Sequence, residues 1–95
     1  MDISLIVPVY NEKENLPLLM DAINAALIPL NKKWEVIFVD DGSKDGSLDV
    51  LEGLVKQYPK SVRVVVFRRN FGQTAAIAAG IDHSQGEIII LLDAD

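Results

Sequence analysis

The residues in this chain best suited to chemistry are Asp93-Ala94-Asp95, which directly follow the unbroken apolar run Ile88-Ile89-Ile90-Leu91-Leu92. A short continuous apolar run is the pattern of a strand covered on both faces in a parallel sheet. Carboxylates at its end fall at the carboxyl edge of the sheet, where open α/β folds bind their ligands. Two hard oxygen donors one residue apart suit Mg2+ or Mn2+, cations that proteins often share with substrate phosphates. Taken alone, the pair is equally well explained as two acids ending a strand in solvent.

Three upstream groups change that balance. Tyr10-Asn11-Glu12 follows a first apolar run, Ile3–Val9. Asp40-Asp41-Gly42-Ser43 follows a second run at 34–39, and Arg68-Arg69-Asn70-Phe71-Gly72 follows a third at 62–67. Each group also has a purely structural explanation. Asp-Gly is a turn signal and an acid favours a helix N-terminus; Asn11 and Glu12 suit a helix cap and first turn; Arg68 and Arg69 suit a solvated pair. His83, late in a helix, fits the dipole there.

Topology is what joins the groups. Pro17 must fall in the first turn of a helix, so the first helix starts near Glu14 or Asn15. Its buried face is expected to be Leu16, Leu19, Ile23, Ala26 and Leu27, with Pro29 just past its end. Leu48, Leu51, Leu54 and Val55 mark one face of a second helix that Pro59 closes. An alanine-rich third helix is expected at Gln73–His83, where small side chains permit close packing on the sheet. A fourth strand is expected from Gly86 to Asp93. Strand–helix alternation with short connections implies right-handed crossovers and a parallel sheet, hence an α/β domain. Every strand-to-helix loop then leaves the same edge. Residues 10–12, 40–43, 69–72 and 93–95 line one rim.

On such a rim an aromatic ring and carboxylates can hold a nucleobase and ribose by stacking and by accepting hydrogen bonds. Asp93 and Asp95 can bind a cation that neutralises a diphosphate. Arg69 can serve a leaving group or an anionic acceptor. The Gly-x-Gly-x-x-Gly fingerprint is absent after the first strand, which counts against NAD or FAD.

Composition narrows the field further. A chain of 95 residues allows one domain, and 49% hydrophobic residues suffice for a core. A formal net charge of −5 argues against a nucleic-acid binder. The absence of cysteine excludes disulfides and thiol chemistry. Asp2 and Pro8 do not fit a signal peptide. A chain stopping on a candidate metal motif is expected to be the N-terminal part of a longer protein. The segment itself is expected to be soluble, with an open fourth strand that can favour a homo-oligomer.

Pro8-Val9-Tyr10-Asn11-Glu12, Val39-Asp40-Asp41-Gly42-Ser43-Lys44-Asp45-Gly46, Arg69-Asn70-Phe71-Gly72 and Asp93-Ala94-Asp95 stand in an order and spacing that carry a resemblance. Together they resemble the N-terminal, nucleotide-sugar-binding half of a family 2 glycosyltransferase with the GT-A fold. That fold is a three-layer, Rossmann-like α/β domain with a mainly parallel sheet. Within the family the chain is most similar to the polyprenyl-phosphate hexosyltransferases.

The resemblance implies that Pro8, Tyr10, Glu12, Val39 and Asp41 contact the nucleotide, with Asp40 a weaker candidate. It implies that Asp93, Ala94 and Asp95 form the Asp-x-Asp motif, Asp93 and Asp95 carrying the metal and the catalysis. The implied reaction is inverting transfer of a hexose, glucose or mannose, from a UDP- or GDP-sugar to a polyprenyl phosphate (undecaprenyl or dolichyl). It would run at the cytoplasmic face of a membrane, with acceptor recognition and membrane contact supplied beyond residue 95. The segment alone would then not be competent. Other readings are a family 2 enzyme acting on a polysaccharide or other glycan, a receiver-like signalling domain, and a non-catalytic nucleotide-sugar-binding module. Against the receiver, the acidic pair ends the second strand rather than the first.

Overall fold

A computed structural model describes residues 1–94, and Asp95 lies outside the described residues. The elements run β1 (Ile3–Val9), α1 (Leu16–Leu27), β2 (Trp34–Asp40), α2 (Ser47–Gln57), β3 (Val62–Val66), α3 (Gln73–His83) and β4 (Ile88–Leu91), with a 3-10 turn, Ile28–Leu30, after α1. The four strands form one parallel sheet in the order β3-β2-β1-β4.

The pleat explains why β1 and β2 are apolar at every position that matters. Ile3, Leu5, Val7 and Val9 of β1, with Val36 and Phe38 of β2, pack under α1 and α2. The alternate residues Ile6, Ile37 and Val39 pack against Ala76 of α3 on the other face. Handedness dictates that division. The chain moves outward from β1 to β2 to β3, then reverses to place β4 on the far side of β1. Crossovers of one hand can reverse direction only by carrying the next helix over the opposite face. α3 crosses close to the sheet: a Cβ on Gly80 would collide with Ile6 Cγ2.

Helix α1 buries Leu16, Met20, Ile23 and Leu27. Two of the face positions expected from sequence differ: Leu19 is half-buried at the core margin and Ala26 is exposed. Spacing of 4, 3 and 4 residues from Leu16 is the tighter stripe, and it selects Met20 instead. Pro29 falls inside the 3-10 turn, which ends at a left-handed Asn31 (φ 53°).

The expectation of a fourth strand covered on both faces is corrected. β4 spans only Ile88–Leu91, and all four residues are exposed, from 37% at Ile90 to 59% at Ile88. Among the described residues β4 has β1 as its one strand neighbour, and α3 packs on β1 and β2 rather than on β4.

At the amino edge of the sheet, Glu35 is buried beneath the α3–β4 connection. Its carboxylate accepts hydrogen bonds from Ser4 Oγ at 2.6 Å, Gln85 N at 2.7 Å and Arg63 Nη1 at 3.0 Å. Ser4 Oγ in turn accepts from Gly86 N at 2.7 Å. These bonds fix where β4 begins, and so where its far end delivers Asp93.

Candidate functional site

A sheet that grows in both directions from β1 leaves a crevice outside the carboxyl ends of β1 and β4, the two strands between which the order reverses. A cleft of about 170 Å³ lies there. Pro8, Tyr10 and Glu12 line it from the end of β1, Asp41 from the end of β2, and Asp93 and Ala94 from beyond β4. These six were expected from sequence, and the fold brings them together. Val9 and Gln73 complete the lining. Gln73 was not anticipated; its only signal was its place as the first residue of a helix starting on the rim.

The remaining expected residues lie elsewhere. Val39 is fully buried against α3, so its side chain offers no surface to the cleft. Asp40 is 2% exposed, and its Oδ1 accepts from Ser43 N at 3.2 Å, the turn role that competed with ligand binding. Arg69 lines a neighbouring depression with Asp40, Lys44 and Arg68, and its guanidinium stacks 4.6 Å from the Phe71 ring centroid. Asp95 lies outside the described residues.

Asp41 has two functions to reconcile. Its carboxylate borders the cleft, yet Oδ1 accepts from Phe71 N at 2.7 Å and Oδ2 from Gly72 N at 3.1 Å. A carboxylate oxygen can accept more than one hydrogen bond, so these two bonds do not exhaust the acceptor capacity of Asp41. Gly42 brings the same two segments together: its φ is +75°, and a Cβ there would fall 2.5 Å from Arg69 C and 2.6 Å from Asn70 N. The 69–72 loop is therefore seated on the end of β2 by backbone contact as well as by charge.

Tyr10 projects its ring at 44% exposure, which leaves a face for stacking. Ala94 is 4% exposed and belongs to the larger core cluster, so it roots the turn that holds Asp93 at the rim. Asp45, behind the cleft, has its carboxyl held below the usual range by the Ser47 hydroxyl and by the amides of Ser47 and Lys13, against a smaller opposing effect of desolvation.

Among the described residues no three His, Cys, Asp or Glu side chains gather closely enough to cage a metal ion. Asp41 accepts from two amides, and Asp93 is exposed at the mouth of the cleft. That donor set fits a hard cation held by one or two carboxylates and completed by phosphate oxygens, not an all-protein cage.

Comparison with known proteins agrees with this geometry. The sequence model of "Glycosyl transferase family 2" matches residues 4–95. Similar curated proteins include the undecaprenyl-phosphate 4-deoxy-4-formamido-L-arabinose transferases of Pseudomonas syringae pv. syringae, 42% identical over 93 residues, and Serratia proteamaculans, 44% identical over 93 residues. In both cases the match covers 98% of this chain and 28% of the relative, so the chain spans under a third of the curated relatives' length. Among solved structures, the mannosyltransferase PcManGT from Pyrobaculum calidifontis, in complex with GDP-Man and Mn2+, superposes with a TM-score of 0.87 at 30% identity, over 98% of this chain and 27% of that one. S. aureus TarS 1-349 in complex with UDP gives 0.84 at 28% identity, over 100% of this chain and 28% of that one.

Proposed function

The chain belongs to glycosyl transferase family 2, and on that premise we propose that it is the nucleotide-sugar-binding part of an enzyme that transfers a sugar to a polyprenyl phosphate. The observation that carries the proposal is the cleft at the β1/β4 reversal, where Tyr10, Glu12, Asp41 and Asp93 converge. The names of the similar transferases support an undecaprenyl phosphate acceptor, and the GDP-Man and UDP complexes support a nucleotide donor.

In this reading the Tyr10 ring stacks on the nucleobase, and the remaining acceptor capacity of Asp41 serves its N–H groups. Glu12 accepts from ribose hydroxyls. Asp93 and Asp95 are the residues that would hold Mg2+ or Mn2+. The cation, when bound, supplies positive charge that stabilises the departing diphosphate more in the transition state than in the ground state.

An oxygen of the acceptor phosphate forms the new bond to the anomeric carbon while the bond from that carbon to the nucleoside diphosphate breaks. In-line displacement inverts the configuration. The acceptor oxygen is already anionic, so no strong general base is required of this chain. Arg69, beside the cleft, offers its cation to the acceptor phosphate.

No helix among the described residues is long and apolar enough to cross a membrane. Contact with the lipid acceptor at the cytoplasmic face is assigned in this reading to the whole enzyme. The sugar is a hexose on the strength of the branch resemblance, whereas the similar curated proteins are named for a formamido-arabinose. A panel of UDP- and GDP-sugars, incubated with the full-length enzyme and undecaprenyl phosphate in detergent, tests the proposal. A sugar–lipid monophosphate should form with one donor. Transfer only to a glycan acceptor, or donor hydrolysis alone, would contradict it.

The sheet order 3-2-1-4 matches the doubly wound dinucleotide-type arrangement and not the flavodoxin-like order 2-1-3-4-5 of receiver domains. The signalling reading therefore has no support in the fold.

A further inference from the structure

Resting on the reading of the cleft as a donor site, we infer that Ser43, Asp45 and Ser47 are positioning residues that fix the backbone on which Tyr10 and Glu12 are presented. Three successive amides of the β1–α1 loop each donate to a side chain of the β2–α2 segment. Asn11 N reaches Ser43 Oγ at 2.9 Å, Glu12 N reaches Ser47 Oγ at 3.0 Å, and Lys13 N reaches Asp45 Oδ2 at 3.2 Å. The stitching is reciprocal, because Lys44 N donates to Asn11 Oδ1 at 2.8 Å.

The loop so held is one that needs holding. Asn11 sits at φ 54°, a left-handed conformation uncommon for a residue with a Cβ, and it persists when the surroundings over-determine it. Tyr10 and Glu12 flank that residue, so relaxing Asn11 would swing both away from the cleft they now share.

Ser47 is the pivot. It is fully buried, and its hydroxyl accepts from Glu12 N while donating to Asp45 Oδ1 at 2.6 Å. Asp45 Oδ1 also accepts from Ser47 N at 2.9 Å, which leaves Oδ2 for Lys13 N. One carboxylate thus accepts from the first amide of α2 and reaches across to the loop leading into α1. None of the three side chains lines the cleft with Tyr10 and Glu12, so they act through those residues.

The test combines amide hydrogen exchange without ligand and calorimetric titration with UDP and GDP in the presence of Mn2+, on the unsubstituted chain, Ser47→Ala, Ser47→Thr and Asp45→Asn. The amides of residues 11–13 should be protected in the unsubstituted chain. Ser47→Ala should speed exchange there, leave β1 and β2 slow, and weaken nucleotide binding by about tenfold, the effect of one unsatisfied amide. Ser47→Thr should restore both. Should Ser47→Ala not fold, Asp45→Asn, altered at an exposed side chain, should release Lys13 N and weaken binding in the same direction.

Faster exchange at residues 11–13 with undiminished nucleotide affinity would overturn the inference. So would an absence of protection at those amides in the unsubstituted chain. Failure of the unsubstituted, folded chain to bind either nucleotide would overturn the donor-site reading itself, and the inference with it, and the exchange pattern would tell that outcome from a failure of the clamp alone.

Discussion

The carboxylate of Asp41 accepts a hydrogen bond from the backbone N–H of Phe71 at 2.7 Å, joining the end of β2 to a loop 30 residues further along the chain. With Gly72 N on its other oxygen, Asp41 is both a wall of the cleft and the anchor of the loop that carries Arg69. Asp41→Ala should therefore lower stability by about 1–3 kcal/mol, because two part-buried amides lose their acceptor. It should also weaken nucleotide binding. Urea denaturation followed by titration checks both; an unchanged midpoint would show that the loop is held by something else.

Glycine substitutions should differ in sign according to what a methyl group would meet. At Gly53, on the exposed side of α2, nothing lies within 4 Å, so Gly53→Ala should stabilise by about 0.5–1 kcal/mol. At Gly80 the methyl would strike Ile6, a fully buried strand residue. There the same exchange should cost about 1–3 kcal/mol from overpacking, despite the better helix propensity. Chemical denaturation of the two variants side by side decides the matter, and equal shifts would contradict the close approach of α3 to the sheet.

Acid should attack the amino edge of the sheet through Glu35. Burial pushes its carboxyl up, but the Ser4 hydroxyl, the Gln85 amide and Arg63 together outweigh that and hold it below the ordinary value. A group whose pKa is depressed by folding contributes stability that is fully present above the unfolded pKa and lost as pH falls through the folded one. The Glu35 contribution should thus be intact at neutral pH and fade as the pH falls below the ordinary glutamate pKa of about 4.3. Glu35→Gln should flatten the acid limb of the stability–pH curve. An acid limb unchanged by the substitution would assign the loss to other carboxylates.

Much of this was legible in the sequence because apolar runs and breakers locate strands, and parallel topology then sends every strand-to-helix loop to one edge. Pro8, Tyr10, Glu12, Asp41, Asp93 and Ala94 share a cleft for that reason alone. Val39 was not separable from them, since a strand covered on both faces is apolar at both parities and conceals which side each residue takes. The anchoring of residues 71 and 72 by Asp41 depends on a contact with no local spacing to betray it. Met20 was missed because the helical period admits two neighbouring stripes, and only packing against Val7, Phe38 and their neighbours chooses between them. An apolar run such as Ile88–Leu91 reports what a strand can tolerate covering it, and the described residues lay no helix over β4.

Asp93→Ala is the most local perturbation of the proposed cation site. It should remove the metal-dependent part of nucleotide binding, apart from whatever stability the exposed side chain lends the rim. Thermal denaturation, together with titration in the presence and absence of Mn2+, separates these effects. A variant that retained the full metal increment would move the cation to other ligands.

The most direct test of the donor site is calorimetric titration of UDP and GDP into the folded chain, with and without Mn2+. One nucleotide should bind in preference to the other, and more tightly with the metal present. Binding of neither nucleotide, under conditions where the chain is shown to be folded and Mn2+ is saturating, would contradict a donor site built from the cleft between β1 and β4.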